Sequence, residues 1–301
     1  MTNYDYFLCG WRVESELELP QLMPWTGAEV ATDVTIVARP IVEEFSDPIS
    51  PQRWVKIDTD GSILLTIPGL VRFLVRHGKS VTVEILRDEV AQGWRLFLLG
   101  SVLSMLCHQR RLLPLHAATV KIGGRNIAIA GHSGMGKSTL AFSLMQRGHG
   151  LLSDDVTVLE VNSAQCGWIM PAFPRLKLWY DTCRALGVEP ETLPRVRDDL
   201  PKVDYGRSID FDYTPGPLDG IVILNEAAEL KLVPEPKSHA VTAILGHVSR
   251  RRIGHLLGCD RSLFAQAAML SSKVEVLQLS RPKQFELLPA AAVLIEEHFG
   301  R

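Results

Sequence analysis

Residues 131–139 read GHSGMGKST, a glycine-spaced loop that ends in a lysine and two hydroxyl side chains. The spacing matches G-x-x-x-x-G-K-[ST], and the chemistry of such a loop is the holding of nucleotide phosphates. Glycines let the main chain curl so that its N–H groups meet phosphate oxygens, Lys137 reaches the outer phosphates, and the Ser138 hydroxyl is suited to a magnesium ion. The candidate phosphate contacts are Gly131, His132, Ser133, Gly134, Met135, Gly136, Lys137, Ser138 and Thr139, with ATP and Mg2+ as the expected cofactors.

Two adjacent acids, Asp154 and Asp155, follow after one short helix and one turn. Most phosphate loops meet their metal-organising acid after a longer excursion, so here the loop helix and the acidic strand are sequence neighbours. Successive side chains on a strand point to opposite faces, so the two carboxylates cannot reach one phosphate unless the chain bends between them. One is expected to face the γ-phosphate and the other to fix metal, a histidine or a loop. Arg175 and Lys177 alternate along a predicted strand, which lets both face one side and meet phosphate or a substrate carboxylate.

The elements that must carry these residues follow from periodicity. Alternating apolar runs at 115–122 and 126–130 flank Gly123-Gly124 and predict a β-hairpin that leads into the loop. A helix is predicted over 137–147, a turn over 148–150 and a strand over 151–160. Further on, strands are predicted at 220–224, 230–233 and 274–279, helices at 240–248 and 261–271, and a closing helix. The run 193–216, rich in proline, aspartate and arginine, reads as a mobile or partner-ordered segment.

Residues 1–95 form a smaller β-rich unit in this reading. Its strands fall at 4–13, 34–38, 54–57, 63–67 and 80–86, broken by Pro20, Pro24, Pro48, Pro51 and Asp60-Gly61, with a short helix at 69–76. A helix over 90–111 joins or buttresses the halves, so residues 96–112 count with a second domain of 96–301. The fold class is α/β.

Composition narrows the function. A formal charge of -2, from 32 basic against 34 acidic residues, gives no general attraction to nucleic acid or anionic lipid. The five cysteines are scattered, odd in number and without a C-x-x-C pair, which disfavours both a disulfide framework and a zinc site. The longest apolar stretch, 96–107, is too short to cross a bilayer, and the N-terminus lacks a secretory pattern. The expectation is a cytoplasmic protein with no nucleic-acid or membrane partner.

The segments LHAATVKIGGRNIAIAG (115–131) and RGHGLLSDDV (147–156), with the loop between them, resemble the catalytic domain of HPr kinase/phosphorylase, whose fold is related to phosphoenolpyruvate carboxykinase. The resemblance covers residues 116–160. It implies Lys137 as phosphate-binding lysine, Ser138 as magnesium ligand, Asp155 as proton acceptor from a substrate serine, and His116 as a histidine beside the catalytic aspartates. Asp154 then serves metal or structure. Beyond Glu160 the family's glycine-rich E-x-R-G-x-G-type stretch is missing and residues 171–179 read PAFPRLKLW, so HPr recognition and phosphorolysis are not implied.

In the first half, FLCGWRVESELELPQL (7–22) and LTIPGLVRFLVRHGKSVTVEIL (65–86) resemble HPr-kinase-like proteins of natural-product peptide clusters, among them lasso-peptide kinases that phosphorylate a precursor's C-terminal serine. The leading expectation is therefore a serine kinase acting on a precursor peptide or small protein, with a homo-oligomer left open. A classical HPr kinase/phosphorylase, a small-molecule kinase and a non-enzymatic nucleotide switch remain alternatives. An ABC-type ATPase ranks behind, because neither an LSGGQ-like signature nor a later Asp-Glu strand end is present.

Overall fold

A computed structural model of the chain describes residues 3–42, 45, 49, 54–86, 93–164, 166–197, 200–206 and 209–300. Two compact units emerge, one of Met1–Leu112 with Arg250–Ser262 and one of Leu113–Ser249 with Leu263–Arg301. This differs from a division at residue 95. The helix Leu103–Gln109 packs on the strand Val71–Arg76 and the helix Arg251–Leu256, which groups it with the first unit.

The first unit holds an eight-stranded sheet, in spatial order Met23–Pro24, Tyr4–Leu8, Trp11–Ser15, Val34–Ala38, Ser80–Ile85, Val71–Arg76, Ile63–Ile67 and Val55–Ile57. The run expected as one strand at 4–13 is two antiparallel strands, because Cys9 and Gly10 both turn through positive φ. The helix expected at 69–76 is instead the strand Val71–Arg76. Val71, Phe73 and Val75 are buried at alternate positions, and the turns at Gly69 and at His77-Gly78 close hairpins with the strands on either side. The connecting helix starts at Gly93 among the described residues, contains a π-helical turn over Leu98–Val102 and ends at Gln109. Pro48, Pro51 and residues 90–92 lie outside the described residues.

The second unit is built on a six-stranded sheet in the order Gly150–Ser153, Ala117–Ile122, Arg125–Ala130, Gly220–Glu226, Glu275–Arg281 and Lys231–Pro234. Ala117–Ile122 and Arg125–Ala130 form the expected hairpin around Gly123-Gly124. Arg125–Ala130, Gly220–Glu226 and Glu275–Arg281 run parallel, so their C-terminal ends share one edge, where ligands bind in open α/β sheets. The phosphate loop leaves the sheet at that edge, directly after Ala130, and Arg281 ends the third parallel strand there.

The helix Lys137–Met145 is buried nearly all round, with Leu140, Ala141, Phe142 and Leu144 in the core. It packs against the sheet and against the helix Leu288–Phe299, whose Ile295 and Phe299 belong to the same cluster. Burial of this kind stabilises by about 1.5–3 kcal/mol per large apolar side chain, which fixes the loop at the helix N-terminus to a rigid base. The remaining expected helices and strands shift only at their ends, and Arg251–Leu256 is an additional helix that periodicity did not show.

Three sequence expectations change in this unit. The strand over 151–160 is two strands, Gly150–Ser153 in the six-stranded sheet and Thr157–Val161 in a separate four-stranded one, so the acid pair sits where the chain passes between sheets. Buried hydroxyls pin that passage. Thr157 Oγ1 lies 2.8 Å from both Thr119 Oγ1 and Ser153 Oγ and donates to the Ala117 carbonyl at 3.2 Å.

Within 193–216, Lys202–Tyr205 is a strand paired antiparallel with Leu176–Trp179, and Val203 is fully buried, so apolar packing orders that part of the segment. Residues 198, 199, 207 and 208 lie outside the described ones. Arg175 precedes the strand it was expected to share with Lys177.

Candidate active site

A cavity of about 330 Å3 opens over the phosphate loop. Ser133, Gly134, Met135, Gly136, Lys137, Ser138 and Thr139 line it, together with His116, Asp155 and Lys177 from the expected set. Gly131 and His132 lie just outside and present their carbonyls to the Lys137 ammonium, at 2.9 and 3.3 Å. Gly134 and Gly136 have φ of 82° and 87°, the left-handed region that only glycine enters without strain. A Cβ on Gly136 would also stand 2.7 Å from Arg281 Nη2.

Asp154 is buried behind the loop. Its Oδ1 accepts from Ser138 Oγ at 2.7 Å and its Oδ2 from the Lys177 main-chain N–H at 3.0 Å. Asp155 has a φ of 74°, uncommon for a residue with a Cβ, and this bend turns its carboxylate into the cavity. Its Oδ2 accepts from Lys177 Nζ at 2.5 Å, and its Oδ1 lies 3.4 Å from His116 Nδ1. Burial alone would raise the Asp155 carboxyl, but the Lys177 charge and hydrogen bond, helped by His116 and Lys202, hold it well below the usual carboxylate range.

His116 joins the acid to the lysine. Its Nδ1 lies 2.8 Å from the Asp155 carbonyl and its Nε2 3.0 Å from Lys137 Nζ. A carbonyl only accepts and an ammonium only donates, so the proton is assigned to Nδ1 and Nε2 carries the lone pair. Burial and the adjacent Lys137 push the imidazole below its ordinary pKa, in keeping with that neutral tautomer. The Lys137 pKa is itself lowered, chiefly by burial.

Arg175 does not reach the cavity. It is buried against Asp204, Nε to Oδ2 2.8 Å, close enough for an ion pair though not aligned as a hydrogen bond. Several lining residues were not anticipated from sequence, among them Trp179, Thr182, Lys202, Arg281 and Lys283. Arg281 lies two residues past the strand predicted at 274–279 and enters the site because the observed strand, Glu275–Arg281, runs on to the edge where the loop emerges. Magnesium is a hard ion that takes oxygen ligands, and Ser138 Oγ with Asp154 Oδ1 supply such a pair. Among the described residues no group of three or more His, Cys, Asp or Glu side chains could hold a metal by itself, so any ion bound there relies on phosphate oxygens and water as well.

The fold and the cavity define an α/β unit in which a glycine-rich loop with its lysine and an adjacent acid pair meet at one edge of the sheet. Residues 110–174 match the family model described as the HPr Serine kinase C-terminal domain, and this region is related to the HPr kinase/phosphorylase family. The HPr kinase/phosphorylase of Nitrosomonas europaea is 29% identical over 215 residues, 64% of this chain and 62% of that protein. The one from Chlorobium limicola is 43% identical over 97 residues, 32% of this chain and 25% of that protein. The relative from Chlorobium phaeobacteroides is 27% identical over 105 residues, and the match spans only 28% of its length. Among solved structures, the HPr(Ser) kinase/phosphatase from Coxiella burnetii aligns with 62% of this chain and 95% of its own at 14% identity, with a TM-score of 0.30. Among the described residues no helix is long and apolar enough to cross a membrane.

Proposed function

We propose that the protein is a magnesium- and ATP-dependent kinase that phosphorylates a serine hydroxyl on a peptide or small protein. The observation that carries this reading is the division of labour between the adjacent acids. Asp154 is committed to Ser138 at the metal position, while Asp155 faces the cavity that the phosphate loop lines.

In this mechanism the loop amides and Lys137 bind the nucleotide's outer phosphates and stabilise charge on the transferred group. Magnesium held at Ser138 and Asp154 would neutralise phosphate charge. Asp155 accepts the serine proton at a carboxylate oxygen, or orients that hydroxyl for in-line attack. His116 holds the Asp155 main chain and the Lys137 ammonium in register through its two ring nitrogens. Lys177 must give up at least part of its contact with Asp155 Oδ2 when the acceptor hydroxyl arrives, since both need that oxygen.

The proposed acceptor is the C-terminal serine of a lasso-type precursor peptide. Support comes from the resemblance of residues 7–22 and 65–86 to the peptide-cluster kinases and from the departure over 171–179 from the HPr-type glycine stretch. HPr itself is the second reading, favoured by the names of the relatives that match residues of the catalytic region. Both readings are tested by incubating the full chain with Mg2+, ATP, HPr and candidate precursor peptides, then locating phosphate by fragmentation mass spectrometry. Phosphate on HPr alone selects the second reading. Transfer to neither, with ATP consumed when metabolite pools are added, selects a small-molecule kinase, and ATP binding without any transfer selects a nucleotide switch.

A further inference from the structure

Five cations line the cavity: Lys137, Lys177, Lys202, Arg281 and Lys283. Four of them have oxygen partners within the chain. Lys137 donates to Gly131 and His132 carbonyls, Lys177 to Asp155, Arg281 to the Met135 and Pro282 carbonyls, and Lys283 pairs with Glu226 at 3.2 Å. Among the described residues the Lys202 ammonium has neither a carboxylate within ion-pair reach nor a hydrogen-bond acceptor, its main-chain N–H alone donating, to the Leu200 carbonyl. Its contact is the face of Trp179, with Nζ 5.1 Å from the ring centroid.

That arrangement is built by strand pairing. Trp179 and Lys202 are direct partners across the antiparallel pair Leu176–Trp179 and Lys202–Tyr205, which places the two side chains beside one another. The strand that carries Trp179 also carries Lys177. The same two-stranded element therefore presents both lysines to the cavity that holds Lys137, Ser138 and Asp155. Burial, and then the like charge of Lys177, depress the Lys202 pKa, as expected of an ammonium short of acceptors. An aromatic face offsets only part of that cost, so the geometry suits an arriving anion.

We propose that Lys202 is a second phosphoryl-binding cation, which leaves the Trp179 face to contact the terminal phosphate of a bound nucleoside triphosphate. The inference rests on the reading of the cavity as a nucleotide site. The terminal phosphate is the anion of choice because the phosphate loop opens into the cavity that Lys202 lines. Charge on a transferred phosphoryl group also spreads over three oxygens, more than Lys137 alone can contact. An acidic group on the acceptor is the competing occupant, and the test separates the two.

Binding of ADP and of the β,γ-imido analogue of ATP is measured with Mg2+ by calorimetry for the unaltered chain, Lys202→Met, Lys202→Arg and Lys137→Ala. Lys202→Met is expected to weaken the triphosphate analogue about tenfold, the size of one charge-assisted contact, and to leave ADP unchanged. Lys202→Arg is expected to recover most of that loss. The analogue, and not ADP, is expected to change Trp179 emission, with Trp179→Phe as the control that removes the signal. A Lys202→Gln variant serves in the same way if the methionine variant fails to fold. Equal weakening of both nucleotides, or of neither, overturns the proposal, and an unchanged nucleotide affinity with a raised acceptor KM assigns Lys202 to the acceptor instead. Failure of the unaltered chain to bind either nucleotide, or unchanged binding in Lys137→Ala, overturns the nucleotide-site reading itself, a result distinct from a Lys202 variant without effect.

Discussion

Asp154 and Asp155 are joined by one peptide bond, yet their carboxylates serve different partners: Asp154 accepts from Ser138, and Asp155 accepts from the Lys177 side chain. The left-handed φ of Asp155 makes this possible where a continuous strand would not. Asp155→Asn is therefore expected to keep ATP binding and to lower transfer about a hundredfold or more, the usual scale for removing an acid-base group. Asp154→Asn is expected to raise the magnesium concentration needed for half-maximal turnover. Rate and nucleotide affinity measured side by side decide the matter, since a comparable loss of affinity in Asp155→Asn would make Asp155 a metal ligand.

The same backbone bend predicts a stability pattern that is independent of chemistry. Glycine enters the left-handed region freely, aspartate tolerates it, and a β-branched residue does so at a cost of about 1–2 kcal/mol. In the absence of nucleotide, Asp155→Val should unfold at a lower denaturant midpoint than Asp155→Gly, with an unfolding free energy smaller by that margin. Equal midpoints would show that residue 155 is not held at positive φ in solution.

Lys137 is satisfied from within the chain by two carbonyls and by His116 Nε2, so it is well placed and already desolvated before any phosphate arrives. Lys137→Ala is expected to abolish phosphoryl transfer while leaving a folded protein. The substitution leaves the buried Gly131 carbonyl without its donor, so a stability loss of about 1–3 kcal/mol is expected. A thermal melt beside a turnover assay checks both halves, and near-normal turnover would remove the phosphate-loop assignment.

Much of the loop region was legible because its signals are local. The G-x-x-x-x-G-K-[ST] spacing, the Gly123-Gly124 turn and the apolar alternation on either side each involve a handful of consecutive residues. The remainder of the site depends on distant pairings. Lys202 reaches the cavity only because its strand pairs with Leu176–Trp179, within a segment whose prolines and charges read as loop. Arg281 arrives through the parallel register that sets Glu226 opposite it on the next strand. The misread helix at 69–76 has a related cause: tight turns at Gly69 and Gly78 form hairpins that favour extended backbone over any helical preference.

Acid sensitivity gives the last prediction. His247 is 8% exposed, its ring lies 5.1 Å from that of His132, and its carbonyl accepts from the His116 main-chain N–H at 2.7 Å. Burial, then the neighbouring His132, Lys137 and His116, push its pKa from 6.5 down to about 4. Below pH 6.5 the unfolded chain binds a proton at this position that the folded chain refuses, so stability falls as pH falls from about 6.5 to about 4 and is unaffected above that window. Between pH 7 and pH 5 the loss from this one group is about 2 kcal/mol. The lowered His116 pKa adds to the loss with the same sign, whereas the depressed Asp155 carboxyl contributes only at lower pH, as pH falls through and below its unfolded value. His247→Gln should therefore flatten the pH 7 to pH 5 slope of urea-unfolding free energy by about that amount. An unchanged slope would mean that the His247 ring takes up its proton in the folded state as readily as in the unfolded one.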